Sequence, residues 1–195
     1  MELHNKKPDP APAGKKAAGE AGHRKNTEPP PSFSVTSVVL LAAAVVLLIS
    51  SFLFSVLMVS GDSMEPGLTD GDLLLLVRTH SLAPGDLVSF KWNDKTLLKR
   101  VIACPGDWVM IDAAGRVYVN GALLEEPYVS EFRLGESDVS YPFQVPENSY
   151  FVMGDERVSS LDSRRTQVGC VEYDQIIGKG VMRIWPLRSD QRETP

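Results

Sequence analysis

The chain has 195 residues, with 20 Lys/Arg against 25 Asp/Glu for a formal net charge of −5. Residues 60–195 alone carry 14 basic and 21 acidic side chains, a net −7, which excludes nucleic acid as a partner because phosphate binding needs a basic footprint. His4, His23 and His80 are scattered and no CxxC pair exists, so no metal is expected.

Residues 1–32 are rich in Pro, Ala, Gly and Lys and lack any apolar period that could bury surface, which predicts a disordered tail. Residues 33–59 follow without a charge or a proline. As one helix they would span roughly 40 Å, more than the ~30 Å of a hydrocarbon core, and they are read as a transmembrane helix. The run is far longer than the apolar segment of a cleavable signal peptide, so the anchor is expected to be kept. The tail holds Lys6, Lys7, Lys15, Lys16, Arg24 and Lys25, whereas residues 60–77 have no Lys or Arg and four acids. Under the positive-inside rule the N-terminus is cytoplasmic and the rest of the chain lies outside the cell membrane.

Residues 60–190 read as one β-rich domain. Gly-Asp and Pro-Gly-Asp steps punctuate short apolar runs in TDGDLLLLV, APGDLVSF and CPGDWVMI, and Asn-Gly in RVYVNGALL predicts a tight hairpin. NSYFVMGD and GKGVMRIWPL add further strands, with at most a short helical turn over residues 172–177. Residues 130–142 are polar and predict an exposed loop or lid. The 66-residue separation of Cys104 and Cys170 leaves a disulfide open, with buried free thiols the expectation.

Three runs carry possible chemistry. Ser63, in SGDSMEP, follows directly on the apolar run, where a hydroxyl would lie near the bilayer surface. A serine needs a base to become a nucleophile, and His80 is the single histidine beyond the tail, in what reads as a surface turn. Lys99, in LLKRVIACPGD, shares a strand face with Leu97 and Val101; buried there, its amine loses solvation and moves toward the pKa of a general base. The plainer readings are a turn serine and a lysine whose stem snorkels to water. Residues 153–165, MGDERVSSLDSRR, crowd hydroxyls, acids and bases into one loop, either a self-paired surface loop or a support for the other two runs.

Taken in order, SGDSMEPGL (60–68), GDLVSF (85–90), LLKRVIACPGD (97–107) and GDERVSSLDSR (154–164), with VNG, EPYV and RIWPL, resemble the boxes of the bacterial type I signal peptidases, the membrane-anchored Ser/Lys proteases of family S26. The resemblance covers nearly all of residues 57–187. It implies a mainly β antiparallel catalytic domain after a single N-terminal transmembrane helix, with Ser63 as nucleophile and Lys99 as general base. It further implies that Ser160 hydrogen-bonds the lysine amine and that Asp155, Asp162 and Arg164 support the site. The implied substrate groove includes Met64, Pro66 and Phe90. Its expected partners are the signal peptides of exported preproteins, cut after small residues in an A-x-A-like pattern, and membrane lipid; the chain would act as a monomer near the secretion translocon, with no cofactor. Departures are Glu156 where the family usually has Asn, Ala103 and Cys104 where Gly or Leu is commoner, and Gly61 where some members have a serine that assists the oxyanion hole. Two rival readings are a substrate-restricted protease of the same type and a non-enzymatic membrane-anchored β-domain scaffold.

Overall fold

The structure is a computed structural model that describes residues 34–79 and 81–186. The tail expected over residues 1–32, and residues 187–190 of the expected domain, lie outside the described residues. Helix α1, Val35–Leu53, begins at Ser34, whose hydroxyl accepts the Ser37 N–H, and none of its residues is buried against the rest of the protein. Its 19 residues span about 28 Å, close to the thickness of a hydrocarbon core.

One boundary differs from the sequence reading. The run expected to form a helix over residues 33–59 divides at Leu53, and strand β1, Phe54–Met58, follows at once. The apolar run has no period that distinguishes helix from strand over its last turn. Tertiary pairing decides, because all five residues of β1 lie antiparallel to β2, Leu73–Val77, from Phe54 opposite Val77 to Met58 opposite Leu73. Phe54, Val56 and Met58 point outward and stay exposed.

The remaining strands are β3 (Leu87–Trp92), β4 (Lys95–Ala103), β5 (Trp108–Ile111), β6 (Val117–Val119), β7 (Ala122–Leu123), β8 (Phe143–Gln144), β9 (Ser149–Met153), β10 (Val171–Glu172) and β11 (Ile176–Trp185). Every pairing is antiparallel. The larger sheet has the order β1-β2-β11-β3-β4-β9-β10 and the smaller one β7-β6-β5-β8. The predicted hairpin is β6–β7, with Asn120 and Gly121 both at positive φ as that turn requires. A single 3-10 turn, Tyr173–Gln175, falls where a short helical turn was expected.

Three apolar clusters fill the interior. One joins Val88, Phe90, Val101, Val152 and Ile176; a second binds the two sheets through Ile102, Val109, Val117, Phe151 and Met153; a third packs Met64 and Leu68 onto Leu74, Leu76, Leu87 and Leu98. The third matters most for the site, because it seats the turn after β1 against the middle of the large sheet. Cys104 and Cys170 are both free thiols.

Strand β11 crosses the large sheet between β2 and β3, and its register shifts after Ile176 as it reaches Gly178. There the backbone comes so close to β2 that a Cβ on Gly178 would lie 2.7 Å from the Val77 carbonyl oxygen. Gly178→Ala therefore forces two strands apart and should cost about 1–3 kcal/mol, read as a lowered midpoint in thermal or urea unfolding of the full chain in detergent.

Candidate active site

Lys99 sits in the middle of β4, opposite Val88, between β3 on one side and β9 on the other. A central strand leaves a side chain little access to water, and Lys99 is 3% exposed. Ser63 arrives from a different part of the chain, in the turn between β1 and β2. That turn is anchored by Met64 inside the third apolar cluster, by Gly61 N–H donating to Asp70 Oδ1 at 2.8 Å, and by Leu68 N–H donating to the Met64 carbonyl at 2.9 Å. The two side chains meet. Lys99 Nζ donates to Ser63 Oγ at 2.7 Å.

Burial dominates the acidity of Lys99, lowering its pKa from 10.5 to about 8; the negative charge of Asp162 opposes this shift and the Arg164 guanidinium adds to it. The amine therefore loses its proton far more readily than a solvated lysine. Near neutral pH a usable fraction is the free base.

The loop expected to support these residues emerges from β9. Met153 pairs with Arg100, so Gly154 and Asp155 leave the strand beside Lys99. Gly154 sits so tightly that a Cβ there would lie 2.6 Å from the Ser63 carbonyl oxygen and 2.6 Å from Ser160 Cβ. Its N–H donates to Asp162 Oδ2 at 2.9 Å, and Glu156 N–H donates to the Ser63 carbonyl at 3.2 Å. The main chain of this loop thus touches the main chain of Ser63 directly.

Two carboxylates named from sequence are paired as expected of supports. Asp155, 2% exposed, accepts Arg100 Nε at 2.9 Å and Nη2 at 2.7 Å. Burial pushes its carboxyl above the ordinary value against the pull of that guanidinium. Asp162 and Arg164, both fully buried, form a second two-point pair, Nε to Oδ1 at 2.9 Å and Nη2 to Oδ2 at 2.8 Å. Burial would raise the Asp162 pKa, but Arg164 and the Gly154 N–H outweigh it and hold the carboxyl below its ordinary value.

Other residues are placed differently from expectation. The Ser160 hydroxyl is buried beside the Asp162 carboxylate and makes no hydrogen bond to Lys99. Phe90 is 1% exposed and packed among Val88, Val101 and Val152, so it supports the sheet from inside instead of lining a groove. Its strand is buried on both faces, and alternation could not reveal that from sequence. Met64 is likewise 1% exposed and packs beneath Ser63, while Pro66, after a cis Glu65–Pro66 bond, is exposed. The 130–142 loop is largely exposed, and it is strapped to the site loop by Arg164 Nη1 donating to the Leu134 carbonyl and by Asp138 Oδ1 accepting Thr166 N–H.

Sequence reasoning missed a third buried ion pair. Arg157 and Glu126 are both 0% exposed and joined at 2.5 Å, and Arg157 Nε donates to the Gly154 carbonyl at 3.0 Å. Glu126 lies 31 positions away, and its adjacency to Pro127 and Tyr128 was the only signal it carried. No group of His, Cys, Asp and Glu among the described residues could hold a metal ion.

Comparison with known proteins identifies the family. A family model described as "Signal peptidase, peptidase S26" matches residues 32–185. The signal peptidase I of Bacillus licheniformis is 35% identical over 152 residues, covering 71% of this chain and 81% of the relative. Signal peptidase I T of Bacillus subtilis (strain 168) is 35% identical over 159 residues, covering 75% and 81%. A solved signal peptidase I of Enterococcus faecalis V583 is 29% identical, covers 50% of this chain and 95% of its own, and aligns with a TM-score of 0.41. A match over most of the chain, from the end of the tail to the last described strand, shows that the chain belongs to the signal peptidase family, peptidase S26.

Proposed function

We propose that this protease is a Ser/Lys-dyad signal peptidase, with Ser63 as nucleophile and Lys99 as general base, that removes signal peptides from exported preproteins at the outer surface of the cytoplasmic membrane. The observation that carries the reading is the 2.7 Å contact between Lys99 Nζ and Ser63 Oγ, made by an amine that is 3% exposed. That distance suits proton transfer, and burial makes the unprotonated amine available to act as the base.

The steps follow from these two groups. Neutral Nζ takes the Ser63 proton as Oγ bonds to the scissile carbonyl carbon. The resulting ammonium gives that proton to the leaving amine nitrogen as the C–N bond breaks, which releases the mature protein and leaves an acyl-enzyme. A water, deprotonated by Nζ, then frees the signal peptide as a carboxylic acid and restores Ser63. The N–H of Ser63 is the proposed oxyanion donor; Gly61 has no side chain to contribute and its own N–H is engaged by Asp70. Asp162 with Arg164, and Asp155 with Arg100, hold the loop against the dyad. Substrate enters as an extended strand, with small residues before the cut. The basic N-terminal tail is cytoplasmic, helix α1 crosses the membrane, and the β domain acts outside as a monomer near the secretion translocon.

Cleavage of a precursor peptide with an Ala-x-Ala site, in detergent micelles, tests the assignment. Ser63→Ala and Lys99→Ala should each lower kcat by at least about 10³-fold while leaving the fold intact. Continued processing by Ser63→Ala would instead favour the scaffold reading.

Activity should follow the free amine. kcat/KM is expected to rise tenfold per pH unit below an inflection near pH 8 and to level off above it. A profile flat from pH 5 to 9, with chemistry limiting, would remove Lys99 as the base.

The same shift has a cost in stability. An unfolded lysine keeps its proton to about pH 10.5 and the folded one to about pH 8, so between those values the unfolded state binds more protons and stability rises with pH. Below about pH 8 the full penalty is present. Lys99→Met should therefore be inactive yet more stable at pH 7, by up to about 3 kcal/mol, a difference that closes as the pH approaches 10.5.

A further inference from the structure

Gly154 is the point where the supporting loop touches the proposed dyad, and both of its peptide groups are held by buried ion pairs. Asp162, paired with Arg164, accepts its N–H. Arg157, paired with Glu126, donates to its carbonyl. The two pairs are themselves joined, because Arg164 Nη1 donates to the Arg157 carbonyl at 2.8 Å. Removing either pair leaves one side of Gly154 without its constraint.

The Glu126 side of this clamp comes from a remote stretch of chain, between the small sheet and the exposed 130–142 loop. Glu126 Oε1 and Oε2 accept Arg157 Nη2 and Nη1, and Oε1 also accepts the Tyr128 hydroxyl at 3.2 Å. The ring of Tyr128 in turn lies 4.0 Å beneath the Arg100 guanidinium that pairs with Asp155. One three-residue segment, Glu126-Pro127-Tyr128, therefore grips the Gly154–Arg157 turn through both of its ends.

We propose that Glu126 is a positioning residue for the Ser63/Lys99 chemistry. Through Arg157 it fixes the Gly154 carbonyl, and with it the loop main chain that packs on the Ser63 carbonyl. It touches neither reacting group. Loss of the carboxylate frees Arg157 to leave the Gly154 carbonyl, and the turn can then relax away from Ser63. The effect falls on the chemical step, since Glu126 is fully buried and offers no contact to substrate.

The inference rests on the dyad reading, and one experiment separates the two. Full-length Glu126→Asp, Glu126→Gln and the double variant Glu126→Leu/Arg157→Met are assayed with the precursor peptide in micelles beside Ser63→Ala and Lys99→Ala. Thermal unfolding gives the folded fraction at the assay temperature. Replacing both charges by apolar groups removes the uncompensated buried guanidinium that Glu126→Gln alone creates, so the double variant should recover stability. It cannot restore the Arg157 Nε bond to Gly154. The expected result is a fall in kcat per folded molecule on the order of tenfold or more in the Gln and double variants, and a smaller fall in the Asp variant, with KM within about twofold of wild type. A kcat within about twofold of wild type in any folded variant of the three overturns the proposal and leaves the pair with a folding role alone. Continued cleavage by Ser63→Ala or Lys99→Ala would mean instead that the dyad reading has failed.

Discussion

A lysine amine kept from water is the constraint around which the domain is arranged. A charged ammonium in the middle of a sheet is unfavourable by several kcal/mol unless it is paired or made neutral. Lys99 is given no carboxylate as a direct partner. Asp162 and Asp155 raise its pKa through their charge, but each is bound to an arginine that consumes most of its field. The amine is left with one hydrogen bond among those described, to a serine hydroxyl, and a pKa near 8. In the proposed chemistry that is the useful outcome, because a carboxylate against Nζ would fix the proton in place.

The same requirement explains why so much charge is buried nearby. Three arginine–carboxylate pairs surround residues 154–157; Arg157 and Arg164 are wholly withdrawn from solvent and Arg100 is mostly so. Such pairs add little net stability compared with apolar side chains of the same volume. Their directional hydrogen bonds hold an irregular loop in one conformation, which dispersion contacts among apolar side chains would do less specifically. Gly154 belongs to this arrangement by having no side chain: any Cβ would occupy the space between the Ser63 carbonyl and Ser160.

Much of this was legible in the sequence, for physical reasons that differ from element to element. The Gly-Asp turns and the Asn-Gly hairpin could be read because positive φ restricts which residues fit. The antiparallel domain followed from strands too short and too close for crossover helices. The end of α1 could not be read, since residues 33–59 are apolar without a period and only the edge of β2 decides where helix gives way to strand. Phe90 was misplaced because the resemblance put its strand at the groove, whereas β3 is buried on both faces and the ring packs inside. Lys99 and Ser63 were individually ambiguous. Their meeting depends on β4 lying centrally and on Met64 pulling the turn inward, and no spacing along the chain encodes either. Glu126 was marked only as part of EPYV, and its role was hidden for a related reason: an acid between a short strand and a polar loop looks like surface until its arginine is found.

The join between α1 and β1 has a consequence for how far the enzyme can reach. The helix ends at Leu53 and the next residue is already paired in the large sheet, so there is no leash between anchor and catalytic unit. A domain on a flexible linker would sample a hemisphere of positions and could attack any accessible bond within it. Here no linker residue separates helix from sheet, so the paired strand starts where the helix ends. In the proposed membrane arrangement Ser63, five residues beyond β1, stays close to the lipid surface. Under the proposed function, depth in the membrane would then act as a ruler: a peptide bond that a substrate's own apolar segment holds near the lipid is within range, and an identical bond farther out along the exported chain is not.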